Sequence, residues 1–286
     1  SIVQIMVEKT LQATGNMIAP MWFQIAGVVF NFVFDPLLIF GIGPFPKMGV
    51  VGAAVATVLG YVVSTIIALI QLFLTKQKVK PVFKNCLEPQ MIKLIFSYGL
   101  PSFVMNALGA FTVNFANMFL VRYSDTAVAF FGAYFKVQQL IFMTVNGLIQ
   151  GCLPIMRFNY RAKEYGRLKQ ANKSGTIIAT VMMIVGMLLV LIFPKEILFL
   201  FSASEEMCVF GVPAMRIMSL GFVFSGFSAM IATYEQATDS IMPGVVVQLL
   251  RQGVLLVPVI WLLNSAVQMT GIWLAFPITE FVTFLV

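Results

Sequence analysis

Residues 94–121 run without a single formal charge, and so do residues 50–75 and 175–194. Runs of that length and apolarity leave the backbone few choices. Hydrocarbon offers no partner to N–H and C=O groups, so such segments must satisfy their own hydrogen bonds as helices. Strict alternation of apolar and polar residues, the mark of a membrane β-barrel, is absent. Read for long apolar stretches, the chain predicts eight transmembrane helices at 18–40, 50–75, 94–121, 127–156, 175–194, 209–234, 241–264 and 271–286, each near the ~20 residues that span a bilayer. The expected fold class is therefore an all-α integral membrane protein. With 60% hydrophobic and 10% charged residues, the chain has too little polar surface for a soluble enzyme, and too much apolar surface for a disordered one.

Charge placement orients these spans. Lys76, Lys78, Lys80, Lys84 and Lys93 fall between the second and third, and Arg157, Arg161, Lys163, Arg167, Lys169 and Lys173 between the fourth and fifth. Both connections lie on one side if every segment crosses once, and the positive-inside rule puts them in the cytoplasm with both termini. The net charge of +7 is thus a topology signal facing anionic lipid and not a nucleic-acid footprint. The first 17 residues lack the features of a signal peptide. Cys86, Cys152 and Cys208 suggest neither a disulfide framework nor a metal site.

An internal repeat adds organisation. Gln12-Ala13-Thr14 precedes the first span and Gln236-Ala237-Thr238 the seventh. The same offset pairs Gln24 with Gln248, Val33 with Val257 and Leu38 with Leu262. After a gap, Gly49, Ala53 and Thr57 pair with Gly271, Ala275 and Thr279. Both copies start on the cytoplasmic side, which is a parallel repeat about a pseudo-twofold axis along the membrane normal. Four spans precede the second copy, so four are expected before the first. On this reading the chain is an N-terminally truncated fragment, eight spans of an expected twelve arranged as two six-helix halves. Residues 1–93 would be the last two helices of the first half plus the inter-half loop, and 94–286 the second half.

Particular residues carry a resemblance. Asn31-Phe-Val-Phe-Asp35-Pro36 followed by Gly49-Val-Val-Gly52-Ala-Ala-Val-Ala-Thr57 resembles the fifth and sixth helices of multidrug and toxic compound extrusion (MATE) transporters. Gly99-Leu-Pro101 resembles the start of their second half. Gly151-Cys-Leu-Pro154-Ile-Met-Arg157-Phe-Asn159-Tyr160 resembles the basic loop after their eighth helix. Tyr234-Glu-Gln236-Ala237-Thr238, Arg251-Gln252 and Gly271-Ile-Trp273-Leu-Ala275-Phe-Pro277 resemble their last three helices. The Asp35 pattern is closest to the branch that includes DNA-damage-inducible protein F. The resemblance implies a bacterial cytoplasmic-membrane antiporter that exports small amphipathic, often cationic compounds by alternating access. It would be driven by a transmembrane H⁺ or Na⁺ gradient, with no cofactor and no obligate protein partner besides the lipid bilayer.

Polar side chains inside a span are costly and mark candidate sites. Gln24, Asn31 and Asp35 fall within about 40° on one helix face at 100° per residue. Asp35 either binds a proton or a cationic compound there, or caps a turn beside Pro36. On the fourth span Lys136, Gln139, Asn146 and Gln150 share a face, with Gln138 adjacent. Lys136 lies too deep for snorkelling alone, which suits a coupling charge or a structural ion pair. Asn106, Asn114 and Asn117 share a sector of the third span and serve equally as ligand contacts or as glue between helices. Glu280 sits mid-span in the last helix. Glu280, Asp35 and Lys136 are therefore the candidate ion-coupling residues, and Gln24, Asn31, Asn106, Asn114, Asn117, Gln139, Asn146 and Gln150 the candidate cavity lining.

There is no His and no GxxxxGK loop, which removes His-based catalysis and ATP hydrolysis from consideration; no catalytic or metal site is expected. Two other readings compete with efflux. A lipid-linked oligosaccharide flippase of the same superfamily would line its cavity with several basic residues, whereas these spans carry Lys136, Arg216 and Arg251 alone. A non-transport membrane scaffold leaves the repeat and the mid-span polar residues without a purpose.

Overall fold

The computed structural model describes residues 2–74, 88–201, 203–238 and 255–285, and every regular element among them is an α-helix. The chain divides into two compact units, Ser1–Leu87 and Glu88–Val286. The N-terminal unit contains α1 (Ile2–Ala13), α2 (Ile18–Phe40) and α3 (Val50–Leu74). The C-terminal unit contains α4 (Pro89–Leu120), α5 (Asp125–Arg161), α6 (Tyr165–Ile192), α7 (Pro194–Leu200), α8 (Glu205–Ser219), α9 (Phe222–Ala237), α10 (Leu256–Val267) and α11 (Met269–Leu285).

Among the described residues, five stretches are long and apolar enough to cross a membrane: Ile18–Phe40, Val50–Phe73, Asp125–Arg161, Tyr165–Ile192 and Glu205–Ala237. Three shorter apolar helices, Ala107–Leu120, Leu256–Val267 and Met269–Leu285, overlap the other expected spans without reaching that length. Only part of the expected 241–264 span is described, and Arg251, Gln248, Cys86 and the lysines from Lys76 to Lys84 lie outside the described residues.

Helix ends follow local chemistry. Gly41 closes α2 in the left-handed conformation (φ 70°), its N–H donating to Leu37 O, a backbone state glycine adopts without penalty. Ser124 caps α5 by accepting from the Ala127 N–H at 3.0 Å, with Asp125 in the first turn and Arg161 in the last, the signs that favour each helix end. Ser204 caps α8 in the same way at 3.2 Å.

Two elements depart from expectation. The N-terminal 17 residues contain α1, whose Val7 and Leu11 pack with Phe23, Ala68 and Leu72. The expected 209–234 helix is two helices, interrupted at Leu220–Gly221. There the ladder tightens to i→i−3 bonds, Leu220 N–H to Ile217 O and Gly221 N–H to Met218 O, both 3.3 Å. The physical reason is close approach. A Cβ on Gly221 would lie 3.3 Å from Pro277 Cα and 3.4 Å from Glu280 Cγ, so the α8–α9 junction packs against α11 beside its internal proline.

The core of the C-terminal unit is aromatic and methionine-rich. Phe130, Phe131, Tyr134, Met215, Met218, Phe222 and Trp273 are all buried, and the Phe130 and Trp273 rings meet edge to face at 5.2 Å.

Candidate functional site

In the N-terminal unit, glycines let α2 and α3 approach closely. A Cβ on Gly27 would lie 2.9 Å from Ser64 Cβ and 3.0 Å from Gly60 O. Ser64 Oγ crosses this seam to donate to Phe23 O at 2.6 Å. One helical turn further on, Asn31 stands between Asp35 and Thr57. With its amide oriented by these neighbours, Asn31 Nδ2 donates to Asp35 Oδ2 at 2.7 Å, and its Oδ1 lies 3.2 Å from Thr57 Oγ1 and 3.1 Å from Thr57 N. Thr57 Oγ1 also lies 2.9 Å from Ala53 O, and its single proton serves one acceptor at a time. The second Asp35 oxygen, Oδ1, is buried without a hydrogen-bond partner. Gln24, Asn31 and Thr57 line a groove of about 380 Å³ between the helices.

The expected stripe on α2 is thus assembled, with a division of labour. Asn31 orients the Asp35 carboxylate, while Gln24, two turns away, reaches the groove and not the acid. Thr57 was not among the residues expected at the site. Its signal was present, since it is a polar residue in a charge-free span and the repeat partner of Thr279.

In the C-terminal unit a second cavity of about 380 Å³ gathers residues from α4, α5, α10 and α11. Lys136, Gln138 and Gln139 come from α5, and Thr279 and Glu280 from α11. Phe135, Phe142 and Phe276 supply an aromatic wall. Lys136 and Glu280 share this cavity, and no ion pair within 4.0 Å joins them. Gln138 Oε1 is buried and without a hydrogen-bond partner. Thr279 is buried, its hydroxyl donating to Ala275 O on its own helix at 2.7 Å.

The remaining expected amides are not gathered here. Helix α4 contributes Gly109, Thr112 and Val113 to the cavity. Asn114 is exposed outside it, Asn117 has a buried Oδ1 without a partner, and the Asn106 side chain lies outside the described residues. Asn146 and Gln150 are exposed further along α5. The basic residues Arg157, Arg161, Lys163, Arg167, Lys169 and Lys173 are all exposed around the α5–α6 turn. Arg157 there donates to Gln236 O at 3.3 Å.

Multidrug export protein MepA of Staphylococcus aureus (strain bovine RF122 / ET3-1) is 27% identical over 276 residues, covering 96% of this chain and 60% of that protein. MepA of Staphylococcus haemolyticus (strain JCSC1435) is 27% identical over 267 residues, covering 93% and 58%. The chain therefore spans about three fifths of the length of these relatives. Among solved structures, a MATE in complex with MaL6 superposes with a TM-score of 0.86 at 21% identity, over 99% of this chain and 64% of that one. The outward-facing conformation of a multidrug resistance MATE family transporter of the MOP superfamily gives 0.83 at 21%, over 95% and 61%. The fold is that of these transporters. The MatE family model matches residues 101–262, more than half of the chain, and the protein belongs to that family.

Proposed function

We propose that the protein exports small amphipathic, often cationic compounds, and that inward flow of H⁺ or Na⁺ drives this antiport by alternating access. The observation that carries the reading is the Asp35 cluster. An acid within an apolar helix pair is costly to bury. Here one oxygen is bonded to Asn31 and the other is buried with no partner, so the carboxylate is a ready acceptor for a proton or a small cation. Glu280 at the wall of the second cavity is the other coupling acid, and Lys136 beside it is a charge that responds to its state. The cavity is of ligand size and sets three phenylalanines beside several polar groups, the mixture that small-molecule sites use. The relatives' name, multidrug export protein, points the same way.

In this reading residues 1–93 and 94–286 belong to the two halves of a twelve-helix transporter. The basic connections lie in the cytoplasm of a bacterium, and the gradient takes the place of a cofactor. The test is efflux of a fluorescent cationic dye from vesicles bearing the full-length protein, with H⁺ and Na⁺ gradients imposed separately. Gradient-dependent dye movement is expected with one of them, and its absence with both would falsify antiport. Asp35→Asn and Glu280→Gln are expected to uncouple efflux from the gradient. If each retains wild-type coupling, neither acid carries the driving ion.

A further inference from the structure

The corner between α5 and α6 carries a charge at a position the backbone does not favour. Helix α5 runs past its apolar stretch to Arg161. It closes with two backbone bonds, Lys163 N–H to Tyr160 O at 3.0 Å and Glu164 N–H to Asn159 O at 2.9 Å. That pair of bonds ends a helix on a left-handed residue, a place glycine fills most readily. Lys163 fills it here, at φ 59°. A lysine bears the steric cost of this conformation, and a glycine does not. The turn therefore does not account for the residue, and its charge is the feature that remains.

The corner is also held in place. Met156 and Leu168 on its two sides are buried, the Tyr160 and Tyr165 rings meet edge to face with centroids 6.3 Å apart, and Arg157 donates to Gln236 O of α9. On this scaffold Arg157, Arg161, Lys163, Arg167, Lys169 and Lys173 are all exposed, against one acid, Glu164. Among the described residues no carboxylate lies within 4.0 Å of any of these six. Large apolar side chains stand open beside them: Ile155, Phe158 at 74% exposure and Tyr165 at 59%. Phe158 is three residues from both Ile155 and Arg161, so the three are neighbours on the helix surface. A small soluble anion would leave these side chains in water. A phospholipid meets both needs, with a phosphate for the cations and acyl chains for the apolar rim.

We propose that the α5–α6 corner is a binding site for an anionic phospholipid of the phosphatidylglycerol type. The phosphate pairs with Lys163 and with Arg161 and Arg167 on either side of it, and the acyl chains cover Phe158 and Ile155. The positive-inside rule asks only for charge near the end of a span. An ordered corner with its apex lysine in left-handed backbone and an apolar rim holds a particular headgroup. The inference stands apart from the export reading, since it concerns the bilayer and not the cargo.

The test is thermal unfolding of the full-length protein in neutral detergent, with phosphatidylglycerol, phosphatidylcholine or soluble glycerol 3-phosphate added. A ligand that binds the folded state raises the unfolding temperature. Phosphatidylglycerol is expected to reach half of its full effect at a concentration about tenfold or more below that of phosphatidylcholine, and glycerol 3-phosphate is expected to have no effect. Lys163→Gly removes one charge while relieving the backbone. It should leave unfolding without lipid undiminished and weaken phosphatidylglycerol alone by about fivefold, the share of one basic residue at an anionic surface. Replacing Arg161, Lys163, Arg167 and Lys169 together by Gln should bring the two lipids within about twofold. Lys195→Gln, beyond the other end of α6, should change neither. Equal action of the two lipids on the unaltered protein overturns the proposal, as does an equal effect of glycerol 3-phosphate, which would make this a soluble-anion site. A phosphatidylglycerol preference that survives Lys163→Gly, or that falls as far in Lys195→Gln, overturns it too, because the lipid would then be held elsewhere or by net charge alone.

Discussion

The two units solve the same problem, polar side chains in an apolar setting, with different emphasis. In the N-terminal unit Ser64 bonds across the helix pair to Phe23 O and Asn31 reaches Thr57 across it while holding Asp35 on its own helix, although Thr57 and Thr65 also lie against Ala53 O and Tyr61 O of their own helix. In the C-terminal unit the buried hydroxyls turn back onto their own helices, Thr279 to Ala275 O, Thr283 to Thr279 O, Ser225 to Gly221 O and Thr233 to Ala229 O. Among the described residues, bonds that cross between elements there include Tyr123 to Asn264 and Arg157 to Gln236 O, both near helix ends. The difference tracks the cores. The smaller unit packs few large side chains, and Val7, Leu11, Phe23, Ala68 and Leu72 form its core. Its α2–α3 seam is made of glycine and small hydroxyl residues, which bring backbones close enough for hydrogen bonds between helices. The larger unit holds its helices with aromatic and methionine side chains, and its polar groups are left to line a cavity.

The largest effects test what the units share. Each has a helical hairpin closed by a glycine against a carbonyl. A Cβ on Gly52 would lie 2.5 Å from Leu38 O, and one on Gly271 would overlap Leu263 O. Neither carbonyl can retreat, because it belongs to a helix. Gly52→Val and Gly271→Val are each expected to cost about 3 kcal/mol or more through overpacking. Fluorescence-detected size exclusion after membrane extraction should then show little monodisperse protein for either. A folded Gly271→Val protein beside a lost Gly52→Val protein would show that the hairpins are not built alike.

Next comes the acid itself. Asn31→Leu removes the donor to Asp35 Oδ2 and leaves both carboxylate oxygens without one among the described contacts. Stranding a buried polar group costs about 1–3 kcal/mol, and more when it is charged. The expected outcome is gradient-driven efflux reduced at least tenfold with the protein still folded, whereas Asn31→Gln should retain part of it. In the C-terminal unit the matching change is mild: Gln139→Leu alters one exposed wall residue, and efflux should change by less than about threefold. Equal losses in both would erase the contrast between a bonded acid and a cavity wall.

How far these features were legible from residues alone depends on their range. The bounds 18–40 were readable because Gly41 ends α2 just where apolarity ends. The bounds of α5 were not, since its helix extends from the expected 127–156 to Asp125–Arg161. Apolarity reports solvation, and a capped helix continues into water regardless. The break at Leu220–Gly221 was hidden because its cause, Pro277 and Glu280 on another helix, lies more than 50 residues away in sequence. Asn31 beside Asp35 is an i, i+4 relation, so it could be read directly. Thr57 stood out as a polar residue in a charge-free span, but only the packing of α3 on α2 brings it to the amide. The cavity around Lys136 was half legible: the polar face of α5 was visible, but not that Gln138, Gln139 and Lys136 reach it while Asn146 and Gln150 do not.

The threonine pair aligned by the repeat gives a finer comparison. Thr57→Val removes a hydroxyl 3.2 Å from Asn31 Oδ1 and leaves the amide anchored through the Thr57 N–H alone. A loss of about 1 kcal/mol in stability, with efflux lowered severalfold, is the expected result. Thr279→Val deletes only a bond to the preceding turn of its own helix, so stability should shift by less than about 0.5 kcal/mol. The readouts are thermal unfolding in detergent and initial dye-efflux rate. Thr279→Val falling as far as Thr57→Val would mean that the hydroxyl serves the Glu280 cavity directly.

The smallest expected difference is between two serines, and it isolates the contrast from any functional site. Ser64 and Ser225 are both about 2% exposed. Ser64 Oγ bonds across the seam to Phe23 O at 2.6 Å, while Ser225 Oγ bonds to Gly221 O on the preceding turn at 3.1 Å. Interhelical hydrogen bonds within membranes contribute about 0.6 kcal/mol on average, so Ser64→Ala should lower stability by about that amount. Ser225→Ala gives up only a back-bond that competes with the helix ladder and tends to bend it, and alanine is the better helix former. The predicted change there is near zero, or slightly stabilising. Unfolding by a denaturing detergent, followed through intrinsic tryptophan fluorescence, resolves the two. If Ser225→Ala proves the more costly, hydroxyls in the C-terminal unit are doing more than satisfying their own helices, and the division between a polar seam and an aromatic core has to be redrawn at the α8–α9 break.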